Sequence, residues 1–339
     1  MKIYLDGLFY KSSGIGRYYS NLIKVLSKDF EIVTHVPKKY QKEWTEEFSQ
    51  YGVSGIFVNY EKFNVKGLLR NQELKNLKAD IYFFPQVNTP LFFKHPNIVT
   101  TIHDVIPLES KEYPFYKKSL LRFLYINAIK KSKRILTVSN TSKKHIKKFF
   151  KINNIKVIYN FIEDDFCKKN ERIVEDDYIL FVGNRKKNKN LKKLLEAIKE
   201  IDIKLVIAGK REKSDIDFLI EEIKDKVIEI TPDENGLKSL YFYAKLLVFP
   251  SFQEGFGYPP LEAISCNTPA VTSNIEVLKE ILGEKITCID PNSTDSIKKC
   301  ILKGLKNHNE FLTEGKKRLE KFKESAVSKQ YIQFFRTLK

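Results

Sequence analysis

Cysteine is scarce in this chain, four in 339 residues, at positions 167, 266, 288 and 300. No two show C-x2-C spacing, so neither a zinc site nor a disulfide framework is expected, and a reducing compartment such as the cytoplasm is the simplest home. Long apolar runs are missing too: nothing approaches the ~20 residues that cross a bilayer. Met1-Lys-Ile-Tyr-Leu-Asp6 leads straight into an expected strand, without the pattern of a secretory signal. Acidic residues are nearly absent from one long stretch. Between Lys111 and Lys151 there are 13 Lys or Arg and a single acid, Glu112, a net +12 out of the chain's +18. Elsewhere lysines are offset by Asp and Glu. An unbalanced patch of this kind seeks phosphate on nucleic acid, anionic lipid or a lipid-linked substrate. The alternative is a lysine-rich chain decorating a solvated face.

What is present is alternation. β-branched or aromatic runs at 2–6, 30–36, 56–59, 80–84, 97–103, 134–139 and 156–159 are separated mostly by helical patterns. A second series follows at 178–182, 204–208, 227–230, 245–250, 269–272 and 285–289. Such alternation predicts parallel sheets covered by helices on both faces, an α/β fold of two Rossmann-like units. Residues 163–177 are acidic and lack apolar periodicity, and are read as the linker. An apolar content of 42% suffices for two cores. In the tail, Val327, Tyr331, Phe334 and Phe335 recur at helical spacing.

The chemistry concentrates where strands end. Phe249-Pro-Ser-Phe-Gln-Glu254-Gly255-Phe256-Gly257-Tyr-Pro-Pro-Leu-Glu262 reads as strand, glycine loop and helix. Pro259 and Pro260 open that helix, with Glu262 expected in its first turn. The unpaired N–H groups of loop and helix start suit an anion. Two carboxylates would crowd that anion, so they more plausibly hold hydroxyl groups beside it. The bland alternative is a dipole-complementing Glu262 and a tight turn. A second strand end, Gly183-Asn-Arg185-Lys186-Lys187-Asn-Lys189-Asn190, packs cations where a helix begins, with Asn190 as its expected N-cap. Cations there repel the helix dipole unless an anion is bound. Gly14-Ile15-Gly16 follows the first strand but lacks the third glycine of a dinucleotide fingerprint, and a plain turn is its alternative. His103 and Asp104 stand at another strand end, where catalytic groups of such sheets sit. Asp104 also suits a local role, bonding its own downstream backbone.

The Glu254-x7-Glu262 element, continued by Thr268-Pro-Ala-Val-Thr272, resembles that of retaining glycosyltransferases of the GT-B fold, family 4, and the His-Asp-x-x-Pro and Gly-Asn-Arg elements resemble bacterial O-antigen and capsule mannosyltransferases. The resemblance implies two Rossmann-like domains facing across a cleft: 1–163 for the acceptor, 177–322 for the donor, and a final helix at 323–339 crossing back. It implies that Arg185, Lys189 and Gly16 face the donor diphosphate, with Gly255, Phe256 and Gly257 in the donor loop. Glu262 would hold the ribose, Glu254 the donor sugar's hydroxyls, and His103 the sugar or the reacting centre. Residues 208–210 and the loop before Leu237 would line the nucleotide pocket. The implied reaction transfers a sugar with retention from GDP-mannose first, or a UDP-sugar next, to a lipid-linked or nascent surface glycan. No cofactor and no divalent metal are expected. The basic stretch would hold the enzyme peripherally on the anionic inner face of the plasma membrane. Two rivals are a UDP-GlcNAc 2-epimerase of the same fold and a nucleic-acid-binding protein; no nucleic-acid module is recognisable, and none is expected as partner.

Overall fold

The apolar runs form two all-parallel sheets in a computed structural model that describes residues 1–110, 113–167, 171–211 and 215–338. The first sheet contains β1 (Lys2–Leu5), β2 (Glu31–Pro37), β3 (Ser54–Val58), β4 (Ile81–Phe84), β5 (Ile98–Thr101), β6 (Arg134–Thr137) and β7 (Ile155–Val157). Their spatial order is β3-β2-β1-β4-β5-β6-β7. The second contains β8 (Tyr178–Val182), β9 (Lys204–Ala208), β10 (Val227–Ile230), β11 (Leu246–Phe249) and β12 (Ala270–Thr272), ordered β10-β9-β8-β11-β12. Central strands such as β4 and β11 are buried at every residue, which is why they read as unbroken apolar runs rather than alternating ones. In each sheet the order reverses once, between β1 and β4 and between β8 and β11. Ligands of such sheets bind at that reversal, outside the carboxyl ends of the strands.

The chain divides into two compact units, unit 1 comprising Met1–Phe161 and the segment from Val327 onward, and unit 2 comprising Ile162–Ala326. Unit 1 is closed by the last helix, Glu324–Arg336. Its Val327, Tyr331, Phe334 and Phe335 are buried with Ile3 and Leu5 of β1 and with Leu22 and Leu26 of the helix Ser13–Leu26. The sixth strand expected in the second series, 285–289, is reduced to a single bridge between Ser273 and Ile289. Asn190 stands at the N-cap position of the helix Leu191–Ile198, as expected, but its side chain makes no capping bond. Its backbone is left-handed at φ 57°, and its side-chain amide donates instead to the carbonyls of Pro250 (3.0 Å) and Pro291 (2.7 Å).

The expectation about cysteine is also corrected. Cys167 and Cys266 form a disulfide across 99 positions, with Cα atoms 5.0 Å apart. Cys266 ends the helix Tyr258–Ser265, which brings it to the segment before β8, and no local spacing announces such a pair. Part of the expected linker, residues 168–170, lies outside the described residues, as do Lys111 and Glu112 of the basic stretch and the final Lys339. The described part of that stretch forms the helices Phe115–Lys131 and Asn140–Phe150 flanking β6.

Candidate active site

At the reversal in unit 2, the loop after β8 meets the loop after β11. Three contacts pin them: the Phe252 amide donates to the Asn188 carbonyl at 2.8 Å, Asn190 holds Pro250, and Lys189 Nζ lies 2.6 Å from Glu254 Oε1. Lys189 and Glu254, singled out from segments 65 residues apart, are thus neighbours, with side chains only 17% and 12% exposed. The ammonium also sits 5.0 Å from the Phe249 ring centre. Arg185 stands deeper than a surface cation would. Its side chain is 5% exposed, and its two terminal nitrogens pair with Asp217 and with Glu229 on β10. The fork geometry of a guanidinium suits such a double grip. Lys186 and Lys187 point to solvent.

The helix Tyr258–Ser265 starts after Gly257, whose φ of 105° is left-handed and whose Cα lies where an added Cβ would stand 2.7 Å from Leu278. Glycine is therefore needed there both conformationally and sterically. Because the helix begins at Tyr258, Glu262 falls in its second turn rather than its first. Its carboxylate is buried and accepts from the Tyr241 hydroxyl at 2.5 Å. Phe256 is buried, packing edge-on against Tyr258 and Phe322, so its side chain anchors the loop instead of lining a ligand surface. Gly255, beside Glu254, is partly exposed.

At the reversal in unit 1, His103 follows β5 and its Nε2 lies 2.9 Å from the Pro85 carbonyl, just beyond β4. A carbonyl only accepts, so Nε2 carries the proton and Nδ1 is the bare nitrogen. Burial pushes the imidazole down to about 4, which keeps it neutral near pH 7. The ring stands edge-on to Tyr18, centroids 4.9 Å apart, and the Tyr18 hydroxyl shares hydrogen bonds with Thr101 (2.9 Å) and Tyr331 (3.3 Å). Asp104 Oδ1 accepts from the Ile106 amide at 2.9 Å, the local turn bond open to it in the sequence. Gly16 lies inside the first helix rather than in a loop. An added Cβ would come within 3.0–3.1 Å of the Lys11 amide and the Phe9 carbonyl, so it lets the helix start close on the loop before it.

Several residues of these sites were not singled out from the sequence. Asp217, Glu229, Tyr241 and Tyr18 are partners supplied by other elements. Asp217 is one half of an Asp-x-Asp spacing with Asp215, and in the structure it faces Arg185.

The family described as "Glycosyl transferases group 1" matches residues 163–327, and "Glycosyltransferase Family 4" matches 12–166. The chain is 34% identical over 212 residues to the O-antigen chain mannosyltransferase RfbU of Salmonella typhimurium, covering 59% of this chain and 58% of that protein. It is 27% identical to the O-antigen chain mannosyltransferase B of Escherichia coli, over 88% of both chains. Its fold matches that of sucrose-phosphate synthase from Thermosynechococcus elongatus with a TM-score of 0.82 at 15% identity, over 100% and 99% of the two chains. With the two family matches together spanning 12–327 and two parallel sheets of the GT-B kind, the chain belongs to the group 1 glycosyltransferases, family 4.

Proposed function

We propose that this enzyme moves a hexosyl group from a nucleoside-diphosphate sugar, GDP-mannose first and a UDP-sugar next, to a hydroxyl of a lipid-linked or nascent surface glycan. The observation that carries this reading is the meeting of Lys189 and Glu254 at the reversal of the unit 2 sheet, just before the helix that starts at Tyr258, with Arg185 on the same loop after β8 as Lys189. Negative charge grows on the departing diphosphate in an oxocarbenium-like transition state. Lys189, Arg185 and the N–H groups at Gly257 and Tyr258 stabilise it where it develops. Glu254 and Glu262 hold hydroxyls of sugar and ribose, and unit 1 supplies neutral His103 and receives the acceptor. Retention follows from attack on the leaving-group side, assisted by the diphosphate, and no divalent metal or cofactor takes part. Mannose is favoured by the names of the two O-antigen relatives. Thermal shift against a panel of nucleotide-sugars tests the donor, since a ligand at 100 times its Kd adds ~2.7 kcal/mol. Turnover that survives EDTA tests the metal-free reading. Absence of stabilisation by any nucleotide-sugar overturns the assignment.

The enzyme works from the cytoplasm, held peripherally on the anionic inner face of the plasma membrane. Among the described residues no helix is long and apolar enough to cross a membrane. The reading is supported by the helix Phe115–Lys131, which buries Leu124, Tyr125 and Ala128 and exposes Phe115, Tyr116, Leu120 and Phe123 among Lys117 and Arg122. Exposed aromatic groups among cations suit an anionic interface. Co-sedimentation should need anionic vesicles, weaken with salt, and fall when Lys143, Lys144, Lys147 and Lys148 become Glu.

A further inference from the structure

The carboxyl ends of β2 and β3 carry groups that the donor reading leaves unused. Pro37 and Val58, the last residues of those strands, are buried at the base of a cavity of about 580 Å³. Lys38 and Lys39 rise from one side, and Asn59, Glu61, Lys62 and Phe63 from the other. Lys39 pairs with Glu61 at 2.6 Å. Lys62 donates to the Ser12 hydroxyl at 2.8 Å, reaching the start of the first helix. Lys38 has no ion-pair partner among the described residues. Three cations against one acid leave the cavity positive.

Phe63 is the unusual element. Its φ is 58°, a left-handed conformation that costs a non-glycine residue of order 1 kcal/mol or more. The strain is held from behind. The Phe63 amide donates to Asn88 Oδ1 at 3.3 Å, and its ring meets Phe9 edge-on at 5.4 Å. The Asn88 carbonyl in turn accepts from Arg70 (3.3 Å), whose guanidinium is buried on Asp6 at 2.9 Å. A closed ion pair thus fixes the loop that presents a ring 39% exposed at the cavity. A sugar face covers an aromatic ring, an amide and a Lys–Glu pair bond hydroxyls, and an ammonium takes an anionic oxygen.

We propose that this cavity is an acceptor subsite for an anionic saccharide, a glycan carrying a phosphate or carboxylate group. The choice of saccharide rests on the glycosyltransferase reading above. In the sheet order β2 stands three places from β5, about 14 Å at the usual ~4.8 Å strand spacing, and His103 follows β5. A single sugar does not bridge that distance, whereas an oligosaccharide does, with its anionic group in the cavity and its growing end toward His103.

Titration calorimetry on the full chain tests this with three trisaccharides of mannose: neutral, terminally phosphorylated, and oxidised to a terminal uronate. At least one anionic form should bind about tenfold tighter than the neutral one, the scale of one charge-assisted hydrogen bond, and which form does so names the anion. Replacing Lys38 and Lys62 together by Ser should abolish that preference. Phe63→Gly, which suits the left-handed backbone and so keeps the fold, should weaken all three alike. Affinity for GDP and UDP should be unchanged in every variant. Equal binding of neutral and anionic trisaccharides, or a preference that survives loss of both lysines, overturns the proposal. Inorganic phosphate binding as tightly as the phosphorylated trisaccharide overturns its saccharide part. Failure of the glycosyltransferase reading shows separately, as no nucleotide affinity in the parent.

Discussion

The two units share an architecture and hold their candidate residues in opposite ways. In unit 2 every candidate charge is engaged: Lys189 with Glu254, Arg185 with Asp217 and Glu229, Glu262 with Tyr241. In unit 1 the candidates are a neutral imidazole, His103, fixed by a carbonyl and an aromatic edge, and Asp104, whose carboxylate accepts from a backbone amide of its own turn. On the proposed function the difference has a reason. Cations that meet a diphosphate are neutralised by carboxylates while the site is empty. A histidine that hydrogen-bonds at neutral pH is kept from protonating by its surroundings. Unit 1 also buries a charge pair, Asp6 and Arg70, but seals it at 1% and 0% exposure, beyond reach of any ligand. An ion pair that a ligand can open and one that only holds the fold are thus told apart by exposure.

The largest test of that contrast is Arg70→Ala. Removing one partner of a closed pair leaves Asp6 charged and buried, which costs about 3–5 kcal/mol. Chemical denaturation should show unit 1 losing stability while nucleotide affinity in the folded fraction stays put. A loss below about 1 kcal/mol would place Asp6–Arg70 with the openable pairs.

Acid comes next. His35 is buried and, like His103, is pushed down to about 4 from an ordinary 6.5, so the unfolded chain binds more protons between those values. Stability is therefore complete above pH 6.5 and is lost as pH falls toward 4. For His35 the loss is roughly 2 kcal/mol by pH 5, with a smaller one from half-buried His103. Hydrogen exchange should show unit 1 loosening before unit 2 as pH drops from 7 to 5. Parallel loss in both units would sink the idea.

How much of this was legible depends on range. The strands were readable because β-branched runs and turn residues are local, and the loop at 254–262 because its parts are contiguous. Lys189 and Glu254 could be picked out separately as strand-end residues, but their pairing needs the adjacency of β8 and β11. Asp217 stood in an Asp-x-Asp spacing that gave no hint of Arg185, and Glu229 carried no mark, since acids on a lysine-rich chain look like solvated balance. Asn190 read as a cap because Asn favours that position, yet tertiary contacts with Pro250 and Pro291 took its side chain. Residues 285–289 had strand composition, and the sheet edge accepted only one bridge.

A smaller effect separates the two cations of unit 2. Arg185→Ala leaves Asp217 without the Arg185 guanidinium and Glu229 with the exposed Arg211, whose Nε lies 3.5 Å away, so on the proposed function nucleoside-diphosphate affinity should fall by more than the ~1.5–3 kcal/mol of one charged hydrogen bond. Lys189→Ala removes the cation while Glu254 remains, and should cost about that amount. Calorimetry with GDP and UDP ranks them; equal or reversed losses would remove the acids from the account.

The smallest effect has an unexpected sign. Glu254 holds Lys189 at 2.6 Å in the empty site, so a diphosphate must compete for that ammonium. Glu254→Gln keeps the size of the side chain and its capacity to hydrogen-bond, but removes the competing charge. Free nucleoside diphosphate should then bind several-fold tighter, the scale of a partly exposed ion pair at about 0.5–1 kcal/mol. A complete donor gains less, because Glu254 as proposed exchanges Lys189 for the sugar's hydroxyls, and a neutral amide holds those hydroxyls more weakly than a carboxylate. The variant should therefore prefer the product nucleotide over the nucleotide-sugar and turn over more slowly. Measuring both affinities in one protein isolates the coupling. If nucleoside diphosphate binds the Gln variant no more tightly than the parent, the Lys189–Glu254 pair is a bystander to donor binding, and the contrast between openable and sealed pairs loses its best example.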